Sequence, residues 1–274
     1  MQLDVNGLAF SVDVQGPETG PPVVLLHGWP DRGSLWRHQV AALAAAGYRT
    51  IAPDLRGFGD SAKPDGVEHY NILFLLGDVQ GILDHLGIAK AHVVGHDWGA
   101  ALAWAIAGFA PDRVETLVAM SVGHPRAFAE GGLAQRRLSW YMLLFQFQDI
   151  AEQWLSMDDF ANMKLFGAGH RDIDQVIADA SRPGALTAGL NWYRANVPPE
   201  SLVTPALEFP PIGAPTMGIW SDGDAYLLEE PMKTSGRFVS GGFRYERVDG
   251  ASHWLQLDRP DEVSRLLLDF LPTP

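Results

Sequence analysis

Residues 91–104 read AHVVGHDWGAALAW. The β-branched apolar run from His92 to Val94 predicts a buried strand, and the small residues from Ala100 to Ala107 predict a helix with little side-chain bulk. The chain must turn sharply between them. Gly95 and Gly99 bracket the turn, because a side chain at either would collide with the strand or helix being joined, and this lifts the middle residue onto an exposed, strained tip. That tip residue is Asp97, in a Gly-x-nucleophile-x-Gly elbow pattern. A carboxylate is a poor agent of acyl transfer, since attack on a carbonyl would give a mixed anhydride. It displaces leaving groups from saturated carbon well and is left as an alkyl ester. The helix start adds free N–H groups and a dipole that favour negative charge there. Taken alone, the stretch also fits a plain strand-to-helix turn in which Asp97 caps the helix.

The alternation continues on both sides of this elbow. Residues 3–14, LDVNGLAFSVDV, alternate around Asn6-Gly7 and predict an antiparallel hairpin at a sheet edge. Val23 to Leu26 predicts a buried strand running into His27-Gly28-Trp29-Pro30, Ser34 to Ala46 a helix, and Arg49 to Ala52 a further strand. Ile72 to Leu86 predicts the helix that feeds the elbow strand, and Val114 to Met120 the strand that follows the elbow helix. From about Pro125 to Pro211 the sequence becomes aromatic and helical in period. Strands resume at Thr216 to Trp220 and Phe243 to Val248, with a closing helix at Asp261 to Phe270. The expected architecture is an α/β fold with a mostly parallel, doubly wound sheet. Residues 1–125 and 211–274 form its core, and residues 126–210 form an inserted helical cap.

Composition narrows the function. A chain of 274 residues suits one larger α/β domain with an insertion. The net charge of −13 argues against a nucleic-acid partner, whose phosphates would be repelled. No apolar run approaches the roughly 20 residues of a membrane span, and MQLDVNGLAF lacks a secretory pattern, which predicts a cytoplasmic protein. Having no cysteine, the chain has neither disulfides nor thiolate chemistry.

An ester on Asp97 needs a base to activate water and a group to orient that base. Trp220-Ser221-Asp222-Gly223-Asp224 follows one strand and Gly250-Ala251-Ser252-His253-Trp254 follows the last, in the order nucleophile, acid, histidine. His253 is the expected base. Asp224, four residues past the predicted strand end, is the expected acid in preference to Asp222, which is expected to be a turn residue. The backbone N–H groups of Trp29 and Trp98 are the expected oxyanion donors, and a cis bond before Pro30 would aim the first of these loops inward.

Together, HGWP, PDLRGFGDS, GHDWGA, GHPRAF, NWYRAN and SHW make the chain resemble, over essentially its whole length, the epoxide hydrolases of the α/β-hydrolase family. In that family two cap tyrosines hydrogen-bond the epoxide oxygen, and the matching positions are Tyr141 in SWYMLLFQ and Tyr193 in NWYRAN. The chemistry asks for such donors, because ring opening releases an alkoxide, and a phenol with a pKa of about 10 is neutral and can donate at pH 7. Trp140 and Trp192, beside them, are expected to be packing or pocket wall. Arg56 and Asp54 resemble a structural loop with no chemistry.

The resemblance implies attack by Asp97 on an epoxide carbon, with Trp29, Trp98, Tyr141 and Tyr193 about the substrate. Hydrolysis then proceeds through His253 and Asp224, with no metal and no organic cofactor. The implied partners are a small hydrophobic epoxide and water, with no membrane; a homodimer is left open. The nearest alternative is a haloalkane dehalogenase, which shares Gly-His-Asp-Trp-Gly and the histidine but often carries Asn where Trp29 stands, and has no need of the tyrosine pair. Fluoroacetate-type dehalogenases usually carry Arg at the position of Trp98. A non-catalytic ligand-binding protein of the same fold is a further alternative, although such a protein would be expected to lack part of this set.

Overall fold

The computed structural model describes residues 1–203 and 208–274. Strands β1 (Gln2–Val5) and β2 (Leu8–Gln15) form the expected hairpin, and Asn6 and Gly7 both take positive φ in the two-residue turn, whose twist matches that of its strands. There follow β3 (Pro22–Leu26), α1 (Arg37–Ala45), β4 (Arg49–Pro53), α2 (Ile72–His85), β5 (Ala91–His96), α3 (Trp98–Phe109) and β6 (Val114–Met120). The sheet has eight strands in the order β1-β2-β4-β3-β5-β6-β7-β8, where β7 is Thr216–Gly223 and β8 is Phe243–Ser252. Among the described strands, the β1-β2 and β2-β4 pairs are antiparallel and the others parallel.

The strand period distributes the side chains. Val23, Leu25 and Val94 face one way, into a cluster with Leu43, Leu266 and Leu267, whereas Val24, Leu26 and Val93 face the other way, toward Leu75, Val79 and Ala103. The central strands therefore bury both faces, as a parallel sheet requires, and each such side chain contributes about 1.5–3 kcal/mol relative to exposure. Helix α12 (Pro260–Phe270) turns Val263, Leu266 and Leu267 inward and places Asp261 and Glu262 in its first turn, where negative charge suits the dipole.

Between β6 and β7 the described residues are helical: α4 (Pro125–Glu130), α5 (Gly132–Leu138), α6 (Tyr141–Leu144), α7 (Ile150–Phe166), α8 (Ile173–Ala180) and α9 (Ala185–Asn196). Part of the predicted insertion, residues 204–207, lies outside the described residues. Helix α7 is interrupted, because Met157 is extended and Asp158, Asp159 and Phe160 are left-handed. Each such L residue costs about 1–2 kcal/mol. After β7 come α10 (Glu229–Thr234) and, beyond β8, α11 (Leu255–Asp258). Among the described residues no helix is long and apolar enough to cross a membrane.

Two expectations are corrected at the sheet's far edge. Strand β7 runs three residues past Trp220 and β8 four past Val248, because their ladder continues through Ser221 and Val248 and, across a bulge, to Gly223 and Ser252. Asp224 is thus the first residue after the strand. Asp222 lies on the strand and not in a turn, where its carboxylate accepts the Gly250 N–H at 2.7 Å. The Arg56 loop is structural in its contacts: Arg56 grips Asp78 with two hydrogen bonds of 2.6 and 2.7 Å, both side chains buried, and Asp54 accepts the N–H groups of Gly33 and Asp60.

Candidate active site

The elbow between β5 and α3 has the geometry its glycines imply. A Cβ on Gly95 would lie 2.2 Å from the Gly99 carbonyl oxygen, and one on Gly99 would lie 2.0 Å from that of Leu26. Asp97 between them takes φ 53° and ψ −123°, a conformation that costs a non-glycine residue about 1–3 kcal/mol. Its side chain makes no capping bond to α3. Instead Oδ1 accepts the Trp29 N–H at 2.9 Å, so the capping reading fails and the carboxylate reaches across to the loop after β3. The peptide bond between Trp29 and Pro30 is cis. Trp98 opens α3, where the first N–H groups of a helix have no partner within it.

The other oxygen, Oδ2, lies 3.7 Å from His253 Nε2. His253 follows β8 directly and donates from Nδ1 to Asp224 Oδ2 at 2.8 Å. Asp224 Oδ1 accepts the N–H groups of Tyr226 and Leu227 at 2.9 and 3.0 Å, and its side chain is fully buried. Burial by itself would lower the His253 pKa. The charge and hydrogen bond of Asp224, with Asp97 adding to them, outweigh that and raise it to about 10. Asp97, Trp29, Asp224 and His253 all stand just beyond the carboxyl ends of β5, β3, β7 and β8, the end at which open α/β sheets bind ligands.

Tyr141 at the start of α6 and Tyr193 in α9 are 3% and 1% exposed, their ring centroids 6.0 Å apart. Burial first, and the charge of Asp97 second, push both phenols well above 10. Both therefore lie within the field of the Asp97 carboxylate. Trp98 packs edge-on to the Tyr193 ring at 5.0 Å. Trp192 is buried, donating to the Arg56 carbonyl at 2.9 Å, whereas Trp140 is 51% exposed and packs edge-on to Trp154.

Three features were not anticipated from the sequence. His96 donates from Nε2 to the His253 carbonyl at 2.8 Å; burial, then the charge of His253, lower its pKa to about 4 and keep it neutral. Its place beside Asp97 was the only signal. Asp31 accepts from His170 Nε2 at 2.8 Å and from Trp254 Nε1 at 3.0 Å, tying the α7–α8 connection to the residue after His253. Tyr226, two residues past Asp224, packs its ring edge-on to His253 at 5.2 Å and to Tyr141 at 5.7 Å.

Comparison with known proteins agrees with this layout. The α/β hydrolase fold family matches residues 21–260. The chain is 36% identical to Epoxide hydrolase 3 of Xenopus tropicalis, across 99% of this chain and 77% of that protein. It is 34% identical to Epoxide hydrolase A of Mycobacterium tuberculosis, across 98% and 96% respectively. Among solved structures, Epoxide Hydrolase A from Mycobacterium thermoresistibile superposes with a TM-score of 0.85 at 31% identity, covering 99% of this chain and 97% of that one. With its whole length matched and an aspartate at the elbow facing a histidine, the chain belongs to the epoxide hydrolases of the α/β-hydrolase fold.

Proposed function

We propose that this protein hydrolyses a small hydrophobic epoxide to a vicinal diol through an alkyl ester on Asp97. The observation that carries the reading is the division of labour at that carboxylate: Oδ1 is held by the Trp29 N–H, while Oδ2 is free of a direct hydrogen bond, and two buried phenols lie within its field. Residues 126–210 act as the cap that carries those phenols over the nucleophile.

In the first half, Oδ2 attacks one epoxide carbon and the C–O bond on that carbon breaks. The oxygen leaves as a developing alkoxide, which Tyr141 and Tyr193 hydrogen-bond as it forms and to which one of the two phenols gives its proton. A hydrogen-bond donor aimed at developing charge in a dry site is typically worth about 10²–10³ in rate. Oδ1 becomes the ester's carbonyl oxygen, already facing the Trp29 amide.

In the second half, water attacks the Asp97 carbonyl carbon. The Nε2 atom of His253 accepts the water's proton, with the ring oriented by Asp224, and the N–H groups of Trp29 and Trp98 hold the tetrahedral oxyanion. Collapse breaks the bond between the carbonyl carbon and the substrate oxygen, which takes the proton of the new carboxylic acid, while the proton on His253 replaces the one the phenol gave up; the diol leaves and the carboxylate keeps one oxygen from water. The sum is epoxide plus water to diol, and no step calls on a metal or an organic cofactor.

Esterification also retunes the base. A free carboxylate at Asp97 helps hold His253 protonated. Converting it to a neutral ester removes that support, so the imidazole can accept a proton at the stage that needs a base.

Intact-mass spectrometry of His253→Gln tests the reading. Exposed to styrene oxide, this variant is expected to gain the mass of the whole epoxide, and the gain is expected to vanish when Asp97→Ala is added. A gain equal to a haloalkane less hydrogen halide, with none from epoxides, would replace the reading by dehalogenation.

A further inference from the structure

We propose that Tyr226 is a positioning residue that sets substrate size: its hydroxyl holds the C-terminal end of α7, and with it the Phe166 ring, across the approach to Asp97. This rests on the epoxide-opening reading above.

Of the aromatic rings around the candidate site, Trp29, Tyr141, Phe145 and Tyr193 are buried, whereas Phe166 and Tyr226 are partly exposed. The Phe166 ring lies 4.9 Å from Tyr141 and 5.6 Å from Trp29, centre to centre. It fills the space facing one of the phenols, so a bulky substituent on the epoxide must displace it.

The tie to Tyr226 is direct. The Tyr226 hydroxyl donates to the Phe166 carbonyl oxygen, one of the four carbonyls that a helix end leaves without an intrahelical partner. Tyr226 is itself fixed, because its N–H donates to Asp224 and its ring packs on Phe166 at 4.9 Å and on His253 at 5.2 Å. The backbone leaves the helical path on both sides of the end of α7. Upstream are the left-handed residues Asp158 to Phe160; downstream are Gly167, Ala168 and Gly169, the last at φ 101°, before His170 is anchored to Asp31. The hydroxyl therefore adds a side-chain tie from the β7 end to a segment otherwise held by local bonds, among them Gly167 N–H to the Met163 carbonyl and His170 N–H to that of Gly167.

Tyr226→Phe removes the hydroxyl and keeps the ring. Hydrogen exchange of residues 161–169 is expected to quicken by about fivefold to tenfold, the worth of one neutral hydrogen bond in a local opening equilibrium. The ratio of kcat/KM for trans-stilbene oxide over propylene oxide is expected to rise by about the same factor, through KM for the bulky substrate. Phe166→Ala should raise the same ratio, and the double variant should exceed Phe166→Ala alone by little. Unchanged exchange in Tyr226→Phe would overturn the tie, and faster exchange with an unmoved ratio would overturn its role in size selection. If the wild type turned over no epoxide at all, the mechanism above would fall, whereas the exchange rates would still decide whether Tyr226 holds α7.

Discussion

Asp97 Oδ2 and His253 Nε2 stand 3.7 Å apart, close enough for their charges to couple and too far for a direct hydrogen bond. The two half-reactions should therefore respond differently to pH. Ester hydrolysis, followed in single turnover, should rise as the imidazole deprotonates, with an apparent pKa below the value of about 10 that the free carboxylate helps maintain. Ester formation should not follow that rise, because the phenols, pushed well above 10, remain donors. A hydrolytic rate that falls between pH 6 and about 9 would count against His253 as the base.

The same group links pH to stability. His253 is raised from 6.5 to about 10, so its contribution is complete below about 6.5 and is lost as pH climbs through about 10. Thermal midpoints should accordingly fall between pH 7 and about 10, and His253→Gln should flatten that slope. An equal slope in the variant would assign the effect to other groups.

Removing either phenol should slow ring opening. Tyr141→Phe and Tyr193→Phe should each lower the rate of ester formation by about 10²-fold, as loss of one donor to developing charge does. Rapid-quench measurement of the alkyl-enzyme is the check. A few-fold loss from both variants would remove the tyrosines from the chemistry and leave them as packing.

Asp224→Asn should spare ester formation more than ester hydrolysis. The amide no longer stabilises the imidazolium and favours the wrong tautomer, so hydrolysis should fall by on the order of 10³-fold or more and the ester should accumulate. The diagnostic is a mass adduct on turnover that the wild type does not accumulate.

Arg56→Ala should destabilise without chemistry. It strands the Asp78 carboxylate, 2% exposed, at a cost of about 3–5 kcal/mol. Calorimetry should show a midpoint lowered by roughly 10 °C. Arg37→Ala, which breaks an exposed pair with Asp172, should cost about 0–1 kcal/mol.

Much of this was legible in the order of residues, because strand and helix periods and sharp turns are local properties. Gly95 and Gly99 announce their turn, since each meets backbone a few residues away in sequence or in the adjoining strand. Asn6-Gly7 announces its hairpin, and the alternation of Val23 to Leu26 across two faces follows from the period of a strand. The resemblance carried by the motifs pointed to Tyr141 and Tyr193, although nothing in their local spacing distinguishes a donor from a packing ring.

Strand ends were less legible. Asp222, Gly223, Asp249 and Gly250 look like turn residues, yet the β7–β8 ladder extends across them, because pairing depends on the partner strand and not on local propensity alone.

The elbow, the α/β alternation and the candidates Asp97, Asp224 and His253 are encoded within short windows of sequence. Which oxygen of Asp97 accepts the Trp29 amide, that His96 supports the backbone of His253, and that Tyr226 reaches Phe166 follow from the folded chain alone. Those contacts join residues 68, 157 and 60 positions apart. They exist because the ends of separate strands meet under an insertion, a convergence of distant segments that no local window contains.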